Sequence, residues 1–226
     1  MHEGISEKHD ITKDKTAPSI EQVASRSSRP RSWENTSAVG VTGRWSELGL
    51  VTEAHIPFLY QLATDPQSGF RWRYNGAVPT IDVFRQSLWK GVLAQFVIID
   101  LRSRNPIGNV VAYNADSRNG YAYIGAAATS AVQGTGLVID GIDVFLRYLF
   151  LTFGFRKLYF DTPEFNMHLF ESALDHFMRI EGCLSDHQYY NGRYWDRYTL
   201  AVYSTEYLST ERTRLSRRWR AKDGRR

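Results

Sequence analysis

The sequence predicts an α/β fold of the α+β type, in which about seven strands form one central sheet flanked by about four helices. Apolar residues recur at strand and helix spacing in the order β α α β β β α β α β β. The pairs Asn119-Gly120 and Asn191-Gly192 each lie between two strand patterns and indicate hairpins. The segment Gln133-Gly134-Thr135-Gly136 joins an apolar strand to a long apolar helix.

The first half of this order begins with a strand pattern at residues 41–51. Thr52 is a predicted N-cap for a helix that ends near Asp65-Pro66, and Thr80 is a predicted N-cap for a second helix. The apolar faces of these two helices comprise Ile56, Leu59 and Leu62 in the first, and Ile81, Phe84, Leu88 and Trp89 in the second. Three strands follow, at residues 94–101, 107–113 and 121–128.

The second half begins with a buried helix at residues 137–150, where apolar residues recur at helical spacing. A short buried strand is predicted at residues 157–162. A helix is predicted at residues 166–178, with Leu169, Phe170, Leu174 and Phe177 on one stripe. A hairpin at residues 188–203 completes the order.

The chain divides into three segments of different composition. Residues 1–40 are rich in Ser, Thr and charged residues and are predicted to be a disordered leader. Residues 41–208 form the predicted domain, and residues 209–226 a basic tail. The tail carries eight Lys and Arg and two acids from Glu211 onward, so the net charge of +4 arises there. Nucleic-acid binding is one interpretation of this tail, and a solvated C-terminus is the ordinary one.

The composition of the chain excludes several classes of protein. With 226 residues and 42% hydrophobic content, the chain can form one domain with a proper core. The single cysteine, Cys183, excludes an internal disulfide framework and a Cys-based zinc site, and no metal site is predicted. The segment after Met1 lacks the apolar core of a signal peptide, and no apolar run reaches about 18 residues. We therefore expect a soluble cytoplasmic protein that does not cross a membrane.

The turn at residues 133–136 predicts an anion site. Backbone N–H groups at the N-terminus of the following helix lack intrahelical partners, and the helix dipole is positive there. Glycine allows the backbone to approach a ligand closely. These properties suit a phosphate-bearing ligand.

The order of elements and three local patterns resemble the GNAT superfamily of acyl-CoA-dependent N-acyltransferases, and within it the RimJ/RimL-like branch. The turn at residues 133–136 is similar to the pyrophosphate loop of that superfamily. Asn166 follows the fifth strand, where these enzymes place an Asn near the pantetheine arm. The segments 177–182 and 191–196 are similar to the family's Gly-Phe-x-x-Glu-Gly and Asp-Gly-x-Tyr-x-Asp patterns. The resemblance covers residues 43–207 and implies a mixed, mostly antiparallel sheet.

This resemblance implies acetyl-CoA as the cosubstrate. A bulge is expected to splay the fourth strand from the fifth, so that backbone groups of Ala126 and Ala128 pair with pantetheine as an added strand would. A tightly packed strand is the alternative for these small side chains. The implied cofactor-binding residues are Ala126, Ala128, Gln133, Gly134, Thr135, Gly136, Leu137, Val138, Asn166 and Phe170.

Four positions depart from the family pattern. Val138 replaces the usual Gly or Ala at the end of the loop, and Leu169 replaces a Ser. Ala173 stands where many relatives carry the Tyr that protonates the CoA thiolate, and His176 replaces a Gly. The standard proton donor is therefore absent from its position.

The candidate catalytic residues are Glu164, Ser172 and His187. Glu164 ends the fifth strand and could act as a base through water, Ser172 lies next to the missing Tyr, and His187 enters the final hairpin. A surface carboxylate, an ordinary helical serine and a structural histidine are the respective alternatives. Glu171 and His176 are further candidates.

The predicted acceptor wall is Arg71, Trp72, Arg73 and Tyr74, which lie between the first two helices. Two arginines and two aromatic rings suit an acceptor with a carboxylate or a flat ring; packing of the loop onto the core is the alternative. Aromatic residues of the final hairpin could pack within it or form a homodimer surface.

The resulting hypothesis is an N-acetyltransferase that moves an acetyl group from acetyl-CoA to a primary amine of a small metabolite, a peptide or a protein N-terminus. Direct attack in a ternary complex is the expected mechanism. The alternative is a non-catalytic acyl-CoA-binding or interaction module of the same fold, which the absent Tyr at position 173 favours.

Overall fold

The computed structural model describes residues 41–65, 74, 76–132 and 135–209, and its centre is one seven-stranded sheet. The strand order is β1-β2-β3-β4-β5-β7-β6. The pair β4–β5 is parallel and the other pairs are antiparallel. This confirms the predicted mixed, mostly antiparallel sheet. The strands are β1 Ser46–Leu50, β2 Val92–Asp100, β3 Pro106–Asp116, β4 Tyr121–Ala128, β5 Lys157–Pro163, β6 Met178–Tyr190 and β7 Arg193–Tyr203.

The helices that flank the sheet in the described ranges include α1 Ile56–Thr64, α2 Ile81–Ser87, α3 Leu137–Phe153 and α4 Glu171–Leu174. Short 3₁₀ helices span Glu53–His55, Ser130–Val132 and Glu164–Leu169, and residues 204–209 are also helical. The predicted N-cap at Thr80 is confirmed, whereas Thr52 caps the 3₁₀ turn that precedes α1, and the N-cap of α1 itself is His55. The Thr80 hydroxyl accepts a hydrogen bond from the Val83 N–H at 3.4 Å, and Thr52 precedes the first 3₁₀ turn.

Helices pack on both faces of the sheet, which explains the continuous burial of β2 over residues 94–98. Helix α3 packs on one face, and α1 and α2 pack on the other around Val97. A Cβ on Gly141 of α3 would lie 2.7 Å from Cγ2 of Ile98. The glycine thus allows α3 to lie against the centre of the sheet.

The side chain of Asp140, in the first turn of α3, binds the segment that leads into β1. Its Oδ2 accepts hydrogen bonds from the N–H groups of Trp45 and Ser46 at 2.9 and 3.0 Å and from the Ser46 hydroxyl at 2.9 Å. Its Oδ1 accepts a bond from the Arg44 N–H at 3.1 Å. Burial alone would raise the pKa of this carboxyl, but these hydrogen bonds outweigh it and lower the pKa below its ordinary value.

The predicted helix at residues 166–178 is correct only in its first part and wrong towards its end. A 3₁₀ helix and the four-residue α4 occupy its first part, and β6 begins at Met178, ten residues before the predicted hairpin. Met178 pairs with Val202 of β7, so pairing across the sheet prevails over the helical spacing of the apolar residues. The prediction that Trp89 lies on the apolar face of the second helix is also wrong, since α2 ends at Ser87 and Trp89 is half exposed.

The leader at residues 1–40 and the tail from residue 210 lie outside the described residues, and their predicted states stay predictions. Within the described ranges, no helix combines the length and apolar character that a membrane crossing requires.

Candidate active site

Strands β4 and β5 separate halfway along their length. They pair from Tyr121–Lys157 to Tyr123–Tyr159 and no further, although β4 continues to Ala128 and β5 to Pro163. The edge of β4 that faces β5 therefore lacks a partner strand beyond Tyr123. An extended ligand with amide groups can pair with such an edge as an added strand does.

The split forms without the bulge that the resemblance implied. Strand β4 keeps regular pairing with β3 from Tyr123 to Ala128, and the register shift between β3 and β4 lies between Tyr113 and Asp116. The end of β5 pairs instead with β7, at Thr162–Tyr198 and Pro163–Arg197. The two strands diverge because each follows its other neighbour through the twist of the sheet.

Asn166 lies in the 3₁₀ helix that follows the open end of β5. The residue is 7% exposed, and its Oδ1 is buried without a hydrogen-bond partner among the described residues. A buried carbonyl oxygen without a donor is costly in a folded protein. The position therefore fits a ligand that donates an N–H, as the amides of pantetheine do.

The turn before α3 has the predicted geometry at the residues that are described. Gly136 is the N-cap and has a left-handed φ of 79°. The first intrahelical bond runs from the Asp140 N–H to the Gly136 carbonyl at 3.0 Å, so the N–H groups of residues 137–139 precede it. The Thr135 hydroxyl donates to the Val132 carbonyl at 2.7 Å and supports the turn. Gln133 and Gly134 lie outside the described residues.

The other predicted cofactor residues lie around the split on the face of α3. Leu137 and Val138 form the first turn of α3 and pack, half-buried, against the core. Ala126, in the unpaired part of β4, packs against the same core. The Phe170 ring lies 5.9 Å from the Phe160 ring of β5. These small and apolar groups border the space into which an acyl chain would enter.

The opposite face of the sheet carries a cluster of tyrosines that the sequence analysis did not identify. The cluster, called here the tyrosine face, crosses β3, β4 and β5, and its rings are partly exposed. Neighbouring ring centroids lie 5.2 to 6.2 Å apart. The sequence contains a signal for this cluster, because tyrosines alternate in the fourth strand and alternate residues of a strand lie on one face. The members are Tyr113, Tyr121, Tyr123 and Tyr159.

Charged groups of the described residues border this face: Asp116 lies beside Tyr121 at the end away from the split, and two hydrogen-bonded networks include β5 residues. Asp161, next on this face of β5 after Tyr159, accepts hydrogen bonds from the Arg197 guanidinium at 2.6 Å and the Thr199 hydroxyl at 2.8 Å. Further from the split, Glu181 accepts from Lys157 Nζ at 2.7 Å, from the Tyr159 hydroxyl at 3.0 Å and from the Tyr203 hydroxyl.

The negative charge of Asp161 affects the pKa values of tyrosines on neighbouring strands. Burial raises the pKa of Tyr113, and the negative charge of Asp161 raises it further. The same two causes, in the same order, raise the pKa of Tyr123. The carboxylate on β5 therefore acts on tyrosines of β3 and β4, and these hydroxyls remain protonated at neutral pH.

The predicted catalytic residues are all exposed and lie on three different elements. Glu164 begins the 3₁₀ helix at the open end of β5, Ser172 lies in α4, and His187 lies in β6 where its pairing with β7 is irregular. Glu164 lies near Tyr198 of β7. A hydrogen bond with Cys183 raises the pKa of Tyr198, and the charges of Asp196 and Glu164 raise it further.

Of the predicted acceptor wall, Arg71, Trp72 and Arg73 lie outside the described residues. Tyr74 packs against α2, with its ring 6.1 Å from that of Phe84 and its hydroxyl 2.6 Å from Oγ of Ser87. This position fits the packing interpretation of that residue.

No family profile matches the chain, and neither does any curated protein. Solved structures are similar to it. Spermidine N-acetyltransferase from Vibrio cholerae in complex with CoA and spermine has a TM-score of 0.65 at 20% identity, covering 73% of this chain and 98% of that chain. The spermidine/spermine N-acetyltransferase of the same organism in complex with manganese ions has a TM-score of 0.60 at 20% identity, covering 74% and 96%. The predicted GNAT fold is confirmed by this likeness.

Proposed function

We propose that the protein is an acyl-CoA-dependent N-acetyltransferase that moves an acetyl group from acetyl-CoA to a primary amine. The observation that carries this proposal is the split between β4 and β5, which opens beside the buried, unpartnered Oδ1 of Asn166. The N-terminus of α3 supplies the phosphate end of the same site. The similar structures are N-acetyltransferases, which agrees with an amine acceptor here.

In the proposed complex, the cosubstrate supplies an acetyl thioester, whose carbonyl carbon forms a bond with the amine nitrogen while the carbon–sulfur bond breaks. The N–H groups at the α3 N-terminus bind the pyrophosphate, and the open edge of β4 and Asn166 Oδ1 hold the pantetheine arm. A backbone N–H on that edge can polarise the thioester carbonyl. Positioning of this kind supplies much of the rate in aminolysis of an activated ester.

The amine must lose a proton and the departing thiolate must gain one. Ala173 has no hydroxyl to donate. Glu164, with its carboxylate at the open end of β5, is proposed to receive the amine proton through water. Ser172 and His187 stay candidates for the remaining transfer, together with the protonated hydroxyl of Tyr198 beside Glu164. Assignment to the RimJ/RimL-like branch, with amino-acid-like or N-terminal amines as acceptors, is likewise a proposal.

The test measures thiol release from acetyl-CoA across a panel of primary amines, with thermal stabilisation by acetyl-CoA as a separate readout of binding. An enzyme should show both stabilisation and amine-dependent thiol release. Stabilisation without turnover on any amine would identify the non-catalytic binding module, which the alanine at position 173 favours. Absence of both effects would contradict the cofactor site itself.

Replacing Asn166 with Leu is expected to weaken CoA binding about tenfold, which corresponds to the roughly 1.4 kcal/mol of one lost hydrogen bond. The free protein should not lose stability, because Leu fills a similar volume and removes a buried acceptor that has no donor. Calorimetric titration with CoA and thermal unfolding measure the two quantities. Leu169→Ala, an exposed position in the same 3₁₀ helix, is the matched control and should leave affinity unchanged. Equal affinities for both variants would remove Asn166 from the site.

A further inference from the structure

We propose that the tyrosine face binds the amine acceptor and that this acceptor is an arylalkylamine, a primary amine with one positive charge and an aromatic ring. The ammonium group is placed at Asp161 and the aromatic ring on the tyrosines. The inference rests on the proposed function, since it identifies the second substrate of the same site.

The tyrosine face reaches the point at which β4 and β5 separate. Tyr123 and Tyr159 form the last pair before β4 and β5 separate. The next residues on this face are Gly125 and Asp161, which flank the opening from its two sides. The cofactor residues border the split on the face of α3. An acceptor must therefore approach the thioester from the opposite face, where the tyrosines lie.

The surface available there is aromatic. Helices α1 and α2 pack on Val97 of β2, and none of the four tyrosines belongs to that packed cluster. The rings of Tyr121 and Tyr123 each contact that of Tyr159, at 5.6 and 5.2 Å between centroids. Partly exposed rings at these spacings offer edges and faces to a further aromatic ring, and their faces also attract an ammonium group.

The charges favour a single ammonium. The Asp161 carboxylate is held in place by Arg197 and Thr199, and a carboxylate with two donors keeps lone pairs for a third. Glu181, the carboxylate of the other network described above, already accepts from one cation and two tyrosine hydroxyls. Asp161 therefore offers a place for one ammonium group beside the opening, which suits an amine with a single positive charge.

The experiment compares phenethylamine, hexylamine and spermidine as acceptors at saturating acetyl-CoA. We expect kcat/KM for phenethylamine to exceed that for each of the others at least tenfold. Tyr123→Leu should reduce this preference over hexylamine, because it removes a ring and keeps apolar contact. Preference for spermidine, or no preference for the aromatic amine, would overturn the inference.

The role of Asp161 is tested with Asp161→Asn, which keeps an oxygen acceptor for Thr199, replaces the oxygen that faces Arg197 with an amide group and removes the charge. The KM for phenethylamine should rise at least tenfold. Glu47→Gln is the matched control, since Glu47 forms an ion pair with Arg104 at 2.7 Å on the far edge strand β1. Its KM should stay within twofold of the wild type. Equal changes in the two variants would contradict the assignment of Asp161.

A direct binding measurement separates this inference from the proposed function. Phenethylamine is titrated calorimetrically into CoA-saturated wild-type protein and into the Asp161→Asn variant. If the wild type acetylates no amine but binds phenethylamine in an Asp161-dependent manner, the proposed function fails and the acceptor site stands. If amines are acetylated without such binding, the acceptor site is overturned and the proposed function stands.

Discussion

Replacing Gly136 with Asp is expected to weaken CoA binding at least 100-fold, which corresponds to about 3 kcal/mol. Gly136 is the N-cap of α3, and no described atom lies within 4 Å of a Cβ built on it. A side chain there therefore extends into the space in which the pyrophosphate is proposed to bind. A carboxylate in that space would repel the phosphates and compete for the N–H groups of the first helical turn.

The same helix provides the control. Gly154, the C-cap of α3, has a φ of 66° against 79° for Gly136, and a Cβ there also meets open space. Asp at either position imposes a similar backbone strain of about 1 kcal/mol, while Gly154 lies at the other end of the 17-residue helix. Titration with CoA should therefore separate the variants, with Gly154→Asp close to the wild type. Retained affinity in Gly136→Asp would disprove the phosphate site.

The secondary structure around the proposed cofactor site could be predicted because its signals are local in the chain. The strand at residues 121–128 and the helix start at Leu137 were predicted at their observed positions. A strand, a glycine turn and a helix in succession determine a helix N-terminus without reference to distant residues. The end of the helix at residues 166–178 failed for the opposite reason, since pairing of β6 with β7 decides that segment.

The proposed acceptor side depends on contacts between residues far apart in sequence. Asp161 and its partner Arg197 are separated by 36 positions, and nothing local in either segment indicates their pairing. The tyrosines of β4 were interpreted only as strand residues, because the face they share with Tyr159 appears only when β4 and β5 lie side by side. Tertiary arrangement, rather than composition, creates that surface.

Replacing Asp140 with Ala is expected to lower the free energy of unfolding by about 3 kcal/mol, because three backbone N–H groups and one hydroxyl lose their acceptor. The Ser46 side chain among these donors is fully buried, so water cannot readily replace the carboxylate. A Cβ on Gly43 would lie 2.3 Å from Asp140 Oδ2, which shows how closely the chain approaches. Urea unfolding monitored by tryptophan fluorescence measures the loss.

Asp82→Ala is the matched control, because Asp82 also lies in the first turn of a helix but is exposed and forms a surface ion pair with Arg85 at 3.2 Å. The free energy of unfolding should fall by less than about 1 kcal/mol in this variant.

The effect of pH distinguishes a charge effect of Asp140 from simple loss of packing. The pKa of Asp140 is lowered in the folded protein, so its stabilisation is complete above the unfolded value of about 3.9 and disappears as the pH falls through the folded value. The difference between wild type and Asp140→Ala should therefore shrink in acid. A difference that does not change with pH would show that the charge of Asp140 does not stabilise the junction of β1 and α3.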